Sequence, residues 1–269
     1  MFIAIHPTTY RREGFLAHGV LKGGLFIYTL TNFESRATID VDFLLRGYSN
    51  SMDNVKDLIY KIIDTPTGND YIEMSAKSFE EISPQRKYHG ISTQIIAQIK
   101  NVRVPFNIDI GVGDIIVPRA EERIISTQLP DFESPIIKTY SLESTIAEKF
   151  DAILQRLELT GRMKDFYDIY YLSRTFDFDG MKLQSAVFET LQRRETPYDK
   201  DSFERVITLA DNEDIKKRWR YFLRTIKDDT LEFSFVITEI KTFLEPVFNA
   251  IAGESVWQKK WFCRELKWL

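Results

Sequence analysis

Residues 38–45 read TIDVDFLL and decide the first part of the fold. Apolar and polar residues alternate there, which is the period of a strand with one buried face. Side chains two positions apart share a strand face, so Asp40 and Asp42 would lie roughly 6.5–7 Å apart along the backbone. Both carboxylates would then face solvent or a cleft. The buried face of this strand is expected to carry Ile39, Val41 and Phe43.

Two such carboxylates can share a hard cation, although an ordinary solvent-facing strand explains an isolated D-x-D pair equally well. Asp109 lies in a second alternating run, RVPFNIDIGVG, at residues 103–113. A third acid on an adjacent strand would complete the arrangement that two metal ions need for nucleotidyl transfer. The alternative for Asp109 is an acid at a strand end, because Asp is disfavoured inside strands.

A pair of glycines precedes these strands in LKGGLFIYTL, residues 21–30. Gly23 and Gly24 stand where a helix is expected to begin. Glycines at such a turn let backbone N–H groups and the helix N-terminus approach a polyphosphate closely. Together with the helical spacing in residues 51–65 and a strand-like run at 91–99, this order predicts an α/β or α+β sheet.

The hydrophobic period changes to that of a helix at Ser141, and five helical candidates follow. The expected fold is therefore α+β, with a mixed sheet in residues 1–140 and an all-helical domain in residues 141–269. The first helix is expected to run to Gly161, and residues 129–138, which contain two prolines, suggest a boundary between the domains.

The first two predicted helices carry charges on faces that ought to be apolar. At about 100° per residue, Lys149 falls beside the stripe of Ile146 and Phe150, Asp165 falls inside the stripe of the next helix, and Asp168 lies about 60° outside it. A buried Lys and a buried Asp are costly unless they pair with each other or with a ligand. A structural Lys149–Asp165 pair and a ligand-binding role both remain open.

Composition excludes several classes of protein. Apolar residues make up 43% and charged residues 28%, which is typical of a folded globular chain. A net charge of −4 argues against a basic nucleic-acid module, although a local basic surface is compatible with it. One cysteine and three histidines cannot form a disulfide or a normal Cys/His zinc site, and we expect a cytoplasmic protein with no membrane segment.

Four motifs, in the order in which they occur along the chain, resemble those of the AbiEii/AbiGii toxin family. The members of this family are nucleotidyltransferase-like proteins of abortive-infection and toxin–antitoxin loci. The motifs are LKGG, R-x-T-x-D-x-D at residues 36–42, D-I-G-x-G-D at 109–114, and A-E-K-F-x-A at 147–152 followed by R-M-K-D-F-Y-D at 162–168. The resemblance implies a polymerase-β-type nucleotidyltransferase fold followed by a helical domain. It also implies a nucleoside triphosphate (NTP) as substrate, a cognate antitoxin or regulator as partner, and tRNA as a possible acceptor at its 3′ end.

The resemblance also implies roles for single residues. The triphosphate would be held by Gly23 and Gly24, with Thr38 nearby, and its phosphates would be engaged by Lys149. Asp165 matches the acid of the last motif. Magnesium would be held by Asp40, Asp42 and Asp109.

Two alternative functions remain open. The nucleotide could be transferred to a protein hydroxyl rather than to RNA. The chain could also be a catalytically weak binding partner of an antitoxin, because only 22 residues precede Gly23, where relatives usually have a longer helical segment.

The segment KKRWRYFLR at residues 216–224 interleaves five cations with aromatic residues. It could bind single-stranded nucleic acid by charge and stacking, or it could be an amphipathic helix with a solvated basic face.

Overall fold

The computed structural model describes residues 18–47, 49, 51–65, 71–82, 90–128 and 134–269, so His6 and His89 lie outside the described residues. The chain divides into two compact units. The first comprises Met1–Asp114 and Ala120–Tyr140, and the second comprises Ile115–Arg119 and Ser141–Leu269. The short segment Ile115–Arg119, which the sequence-based division assigned to the first domain, therefore groups with the helical residues.

Among the residues that the structure describes in the first unit, seven strands form a mixed sheet in the order β3-β4-β5-β2-β1-β7-β6. β2 runs parallel to β5 and β1 runs parallel to β7, whereas the other neighbours are antiparallel. In chain order the elements are β1 (Gly19–Lys22), α1 (Gly23–Leu30), β2 (Val41–Leu45), α2 (Met52–Asp64), β3 (Glu73–Ile82), β4 (Gly90–Ile99), β5 (Val102–Val112), β6 (Glu121–Ile124) and β7 (Ile136–Thr139).

Hydrophobic alternation explains β5, where Phe106, Ile108 and Ile110 are buried. The predicted strand at residues 38–45 is shorter than expected, because β2 begins only at Val41. Ile39 precedes the strand and is 71% exposed, so the prediction that it lies on the buried face is wrong. The alternating pattern extends past the residues that find a partner strand, and pairing determines where the strand begins.

The second unit is helical, as predicted, with the addition of a small three-stranded sheet in the order β10-β9-β8. Within the described ranges, no helix has the length and apolarity needed to cross a membrane. In chain order the elements are α3 (Leu142–Arg156), a 3₁₀ turn (Leu157–Leu159), α4 (Met163–Thr175), β8 (Phe178–Asp179), α5 (Gly180–Arg193), α6 (Ser202–Thr208), a 3₁₀ turn (Leu209–Asp211), α7 (Glu213–Ile226), α8 (Phe233–Ala252), β9 (Lys260–Phe262) and β10 (Lys267–Trp268).

Helix α3 begins where the sequence predicts, because the Ser141 hydroxyl accepts a hydrogen bond from the backbone N–H of Ser144 at 3.0 Å. It ends at Arg156 rather than at Gly161, since Leu157 has a φ of +42° and starts a 3₁₀ turn. Its buried stripe contains Ile146, Phe150 and Ile153, as expected. The prediction of the helix start is confirmed, and that of its end is wrong by about one turn.

Val117 connects the segment Ile115–Arg119 to the start of α3. Its carbonyl oxygen accepts hydrogen bonds from the hydroxyls of Ser141 at 2.5 Å and of Ser144 at 3.2 Å. Its N–H donates to the Ser144 hydroxyl at 2.8 Å. Both backbone polar groups of Val117 are therefore satisfied by the N-terminal residues of the helix that begins the second unit.

Candidate functional site

The glycine turn lies against the acid of β2. Gly23 is the first residue of α1 and has a φ of +70°. Because Lys22 pairs with Asp42 across β1 and β2, the turn follows directly after that pair. A Cβ atom added to Gly23 would lie 2.0 Å from Oδ2 of Asp42, so both the backbone conformation and the space around it require glycine.

The second glycine lies against Thr38. A Cβ atom on Gly24 would lie 3.0 Å from the Thr38 hydroxyl oxygen. That hydroxyl donates a 3.5 Å hydrogen bond to the backbone carbonyl of Asp40. The structure therefore brings four of the predicted residues, Gly23, Gly24, Thr38 and Asp42, to one end of α1.

Asp42 and Asp109 are paired residues on the parallel strands β2 and β5. Paired residues of adjacent strands project to the same side of a sheet, about 4.8 Å apart. Asp109 accepts a 2.5 Å hydrogen bond from the hydroxyl of Ser92, its partner on β4, which limits how the carboxylate can turn. Asp40 is half-buried and precedes β2, so it is not held in the ladder as Asp42 is.

The donor set fits a magnesium ion in its chemistry. Mg²⁺ prefers hard oxygen ligands and is usually held by one or two carboxylates, with water and substrate phosphates as the other ligands. Asp42 and Asp109 provide two such carboxylates on adjacent strands. Within the described ranges, no group of three or more Asp, Glu, His or Cys side chains is arranged to hold a metal ion.

Lys22 is a cation at this site that the sequence reasoning did not identify. Its Nζ lies 2.8 Å from Oδ2 of Asp114, and it also lies over the ring of Tyr140, 5.1 Å from the centroid. The signal was present in the sequence, since this lysine stands directly before the two glycines. The contact places a positive charge beside the start of the helix.

In the second unit, Lys149 of α3 is 8% exposed and forms two ion pairs with α4. Its Nζ lies 3.3 Å from Oδ1 of Asp165 and 2.5 Å from Oδ2 of Asp168. Arg162, at the start of α4, adds a further contact from its Nε to Oδ2 of Asp165 at 2.5 Å. The Lys149–Asp165 contact that the helical periodicity left open is therefore present.

Asp165 is fully buried, yet it is held as a carboxylate. Burial by itself raises the pKa of Asp165, but the positive charges of Lys149 and Arg162 outweigh it and hold this pKa below its ordinary value. The helical periodicity predicts no role for Asp168, because its angle lies outside the apolar stripe. Asp168 lies about one helical turn beyond Asp165, and this spacing, which lets both acids face the same lysine, could have indicated its role.

The basic helix α7 is amphipathic. Trp219 is 1% exposed and donates its indole N–H to the carbonyl of Leu231 at 2.8 Å, so it belongs to the core and cannot stack on a base. Arg218 donates to the carbonyls of Glu158 and Thr160 at 3.0 and 2.7 Å. Of this segment's aromatic residues, Tyr221 is the most exposed, at 72%.

Two lysines of α7, and one arginine outside this helix that could add to a basic surface, already have acidic partners. Lys216 and Lys217 pair with acids of their own helix, Glu213 and Asp214, at 2.9 and 3.1 Å. Arg194 bridges Glu148 and Asp151 at 3.0 Å each, which is a structural role.

A family model described as "Nucleotidyl transferase AbiEii toxin, Type IV TA system" matches residues 10–251 of the chain. No curated protein sequence matches the chain at a significant level.

Solved structures show the same architecture. A candidate nucleotidyltransferase from H. pylori is similar with a TM-score of 0.51 and 11% identity, over 93% of this chain and 92% of that chain. The nucleotidyltransferase toxin MenT4 from Mycobacterium tuberculosis H37Rv is similar with a TM-score of 0.51 and 15% identity, over 94% of this chain and 90% of that chain. At such identities the likeness shows the fold, and it confirms the α+β class predicted from the sequence.

Proposed function

The chain belongs to the AbiEii nucleotidyltransferase toxin family of type IV toxin–antitoxin systems, and on this premise we propose that it attaches a nucleoside monophosphate to the 3′ end of tRNA with magnesium as cofactor. The family uses an NTP and a divalent metal and acts with an antitoxin partner. Our proposal adds two points to this: the metal is magnesium, and the acceptor is the 3′ end of tRNA. Since tRNA and nucleoside triphosphates are both present in the cytoplasm, we propose that the protein acts there.

One observation carries this proposal, namely the contact of the glycine turn with the acid of β2. Gly23 leaves room for the carboxylate of Asp42, which is itself paired with Asp109. A helix N-terminus binds phosphate through its backbone N–H groups, and adjacent carboxylates bind a cation that neutralises the phosphate. A triphosphate bound at this turn would therefore have its metal ligands next to it.

Each group has a defined task in the transfer. The oxygen of the acceptor hydroxyl forms a bond to the α-phosphorus and its proton passes to water, while the bond from that phosphorus to the bridging oxygen breaks and pyrophosphate leaves with the bond electrons. Gly23 and Gly24 bind phosphate oxygens through backbone N–H groups, and Thr38 supports the turn. Asp42 and Asp109 would hold Mg²⁺, which supplies charge neutralisation and alignment of the phosphates when bound. Asp40, the third ligand that the resemblance implies, lies just before β2 and would have to approach these two carboxylates when the ion binds.

Lys149 is proposed to engage the nucleotide phosphates, as the family resemblance implies. Its ammonium group is held by Asp165 and Asp168, whose own charges are offset in part by Arg162. An ammonium group fixed by two carboxylates is pre-oriented, so little side-chain entropy is lost when it meets a phosphate. Asp165 and Asp168 would accordingly act as positioning residues.

The test is transfer of label from each of four α-³²P nucleoside triphosphates to total cellular RNA, with magnesium and with a chelator. We expect one triphosphate to label a band of tRNA size in the presence of magnesium. Asp42→Asn should abolish this labelling, because it removes one of the two paired carboxylates. Asp57 is an exposed acid of α2, so the variant Asp57→Asn is the matched control and should label RNA as the parent does.

Other outcomes separate the alternatives. Label in protein rather than RNA would show a protein hydroxyl as the acceptor. No incorporation from any triphosphate, with purified antitoxin still bound, would show that the chain is a binding partner without transfer activity. Labelling by Asp42→Asn at the parental rate would contradict the site itself.

A further inference from the structure

Helix α4 has two chemically different faces. At about 100° per residue, Tyr167, Tyr170 and Tyr171 lie within about 60° of the direction opposite Asp165. One face therefore holds Lys149, and the other carries tyrosines that the proposed transfer does not use. Such a concentration of aromatic residues on a face away from the ion pair suggests a second binding surface.

The tyrosine face lines a groove of about 590 Å³. This volume lies in the range of small-ligand sites, about 300–1,000 Å³. The walls are aromatic, since Tyr167 stacks on Tyr171 with centroids 6.0 Å apart and Tyr170 meets Phe235 edge-on at 6.1 Å. The charged residues at the groove include Asp228 and Glu232, which come from the segment between α7 and α8 and the residue before α8.

One cation is already bound in this groove in a specific way. Arg174 lies over the ring of Tyr170, 5.5 Å from its centroid, and pairs with Glu239 at 2.6 Å. An aromatic face and a carboxylate together hold this guanidinium. Tyr167 and Tyr171, with Asp228 and Glu232, offer the same two kinds of group a short distance along the groove.

The acids in the second half of the groove are not neutralised by the chain. Asp228 accepts hydrogen bonds from the N–H and hydroxyl of Thr230, both at 3.0 Å. Glu232 precedes α8 but its side chain makes no capping bond. Within the part of the chain that the structure describes, neither acid forms an ion pair.

We propose that this groove binds an arginine or lysine side chain from a basic segment of a partner protein. The cation would lie over the rings of Tyr167 and Tyr171 and pair with Asp228 and Glu232. Cation–π contacts of this kind strengthen when the cation leaves water, and Tyr and Arg are enriched in protein interfaces. The site is independent of the nucleotide chemistry, so it can be tested whether or not transfer occurs.

The electrostatics of the groove favour a cation over a phosphate. Burial, with smaller contributions from the neighbouring Tyr171, Asp228 and Asp168, raises the pKa of Tyr167 to about 12. The hydroxyl therefore stays neutral and can donate a hydrogen bond at any physiological pH. An RNA phosphate would meet the negative charges of Asp228 and Glu232, which makes single-stranded RNA the less suitable occupant.

The probe is a short fluorescein-labelled peptide of alternating arginine and serine, compared with the same peptide containing citrulline, which is neutral and nearly isosteric. Fluorescence anisotropy with the full chain gives both affinities. We expect the arginine peptide to bind at least about tenfold more tightly than the citrulline peptide. Combining Asp228→Asn with Glu232→Gln should remove this difference.

Asp57→Asn combined with Glu73→Gln is the matched control, because it removes two negative charges from exposed positions in the first unit. It should leave the preference for arginine within about twofold of the parent, whereas an equal loss in both double variants would overturn the proposal as non-specific attraction. If Asp228→Asn lowers the melting temperature, the double variant is replaced by Glu232→Gln alone, which should then reduce the preference for the arginine peptide over the citrulline peptide. Tighter binding of a labelled single-stranded RNA than of the arginine peptide, lost in Tyr171→Ala, would also overturn it and indicate RNA.

Discussion

Oδ2 of Asp168 lies 2.5 Å from Nζ of Lys149, closer than the 3.3 Å contact that Oδ1 of Asp165 makes with the same atom. The buried lysine is therefore shared by two carboxylates one turn apart on α4. With Arg162 on the outer side of Asp165, two positive charges face two negative ones. Such a cluster is stable only while its charges balance, because an uncompensated charge in the interior is costly.

Replacing Lys149 by methionine should therefore lower the free energy of unfolding by about 3–5 kcal/mol, the range for breaking a buried ion pair. The loss arises because both carboxylates keep their burial while the ammonium group is gone. Urea unfolding measures this change, and titration with an NTP measures the functional role. If Lys149 also binds phosphate, Lys149→Met weakens nucleotide affinity as well.

Double variants separate the two roles of Lys149. Lys149→Met combined with Asp168→Asn should recover part of the lost stability, since it removes the carboxylate closest to the missing charge. Combination with Asp165→Asn should recover less, because Arg162 still compensates Asp165 in the Lys149→Met protein. Recovered stability together with unchanged nucleotide affinity in every variant would show that Lys149 is purely structural.

The lowered pKa of Asp165 predicts how stability depends on pH. A carboxyl whose folded pKa lies below its unfolded value stabilises the fold above the unfolded pKa, and this contribution is lost as pH falls through the folded pKa. Stability should therefore drop below about pH 4, near the ordinary value of 3.8. Asp165→Asn should flatten this part of the curve in denaturation measured from pH 6 to pH 3, and an unchanged curve would contradict the assignment.

Gly23→Ala should reduce both stability and NTP binding. A non-glycine residue at φ +70° costs roughly 1–2 kcal/mol, and the added Cβ would displace the carboxylate of Asp42. Gly161→Ala is the control, because a Cβ there meets no atom within 4 Å. Thermal melting and nucleotide titration of both variants provide the comparison. Equal behaviour of the two would show that the glycine turn imposes no special geometry.

Asp40→Asn and Asp42→Asn should each lower turnover by at least about 10²-fold, the scale of losing a major electrostatic stabiliser, while the melting temperature stays near that of the parent. Asp109→Asn should raise the magnesium concentration needed for half-maximal rate, because it removes the carboxylate paired with Asp42. Initial rates over a magnesium series measure both effects. Normal turnover in both the Asp40 and the Asp42 variants would rule out the metal assignment.

The acceptor surface can be tested through salt. Lys217, Arg220 and Arg224 are exposed on α7, and their charges can be reversed by substitution with glutamate. This change should reduce the slope of log RNA affinity against log salt by roughly two units, because each phosphate contact contributes about 0.7–0.9. Reversing Lys61, Lys77 and Lys100, which are exposed in the first unit, is the control. Equal slopes in the parent and the α7 variant would show that the basic face of α7 is solvated and does not contact RNA.

Local patterns predicted the parts of the fold that local physics controls. The glycine turn, the helical period after Ser141 and the alternation in β5 each depend on neighbours in sequence, and all three are found as predicted. The start of β2 and the end of α3 were wrong, because strand pairing and a left-handed Leu157 determine them. Neither is visible in hydrophobic periodicity.

The candidate site was predictable only in part, for a related reason. The alternating pattern indicated that Asp40 and Asp42 share one strand-like segment. The pairing of Asp42 with Asp109, however, joins two strands that are far apart in sequence, and a local pattern does not reveal it. Asp168 and Lys22 were missed because each acts through a partner that lies on another element. Trp219 could have served either the core or a surface until the packing of α7 was known.

The path of the chain at Val117 means that no single cut separates the two units. Ile115–Arg119 groups with the helical unit, although residues of the sheet unit stand on both sides of it in sequence. A fragment that begins at Ser141 would lose the carbonyl of Val117, to which the hydroxyls of Ser141 and Ser144 donate at the start of α3. Truncation at the Tyr140–Ser141 bond therefore removes these hydrogen bonds from the helical fragment, and a peptide spanning residues 115–119 added to that fragment should restore them.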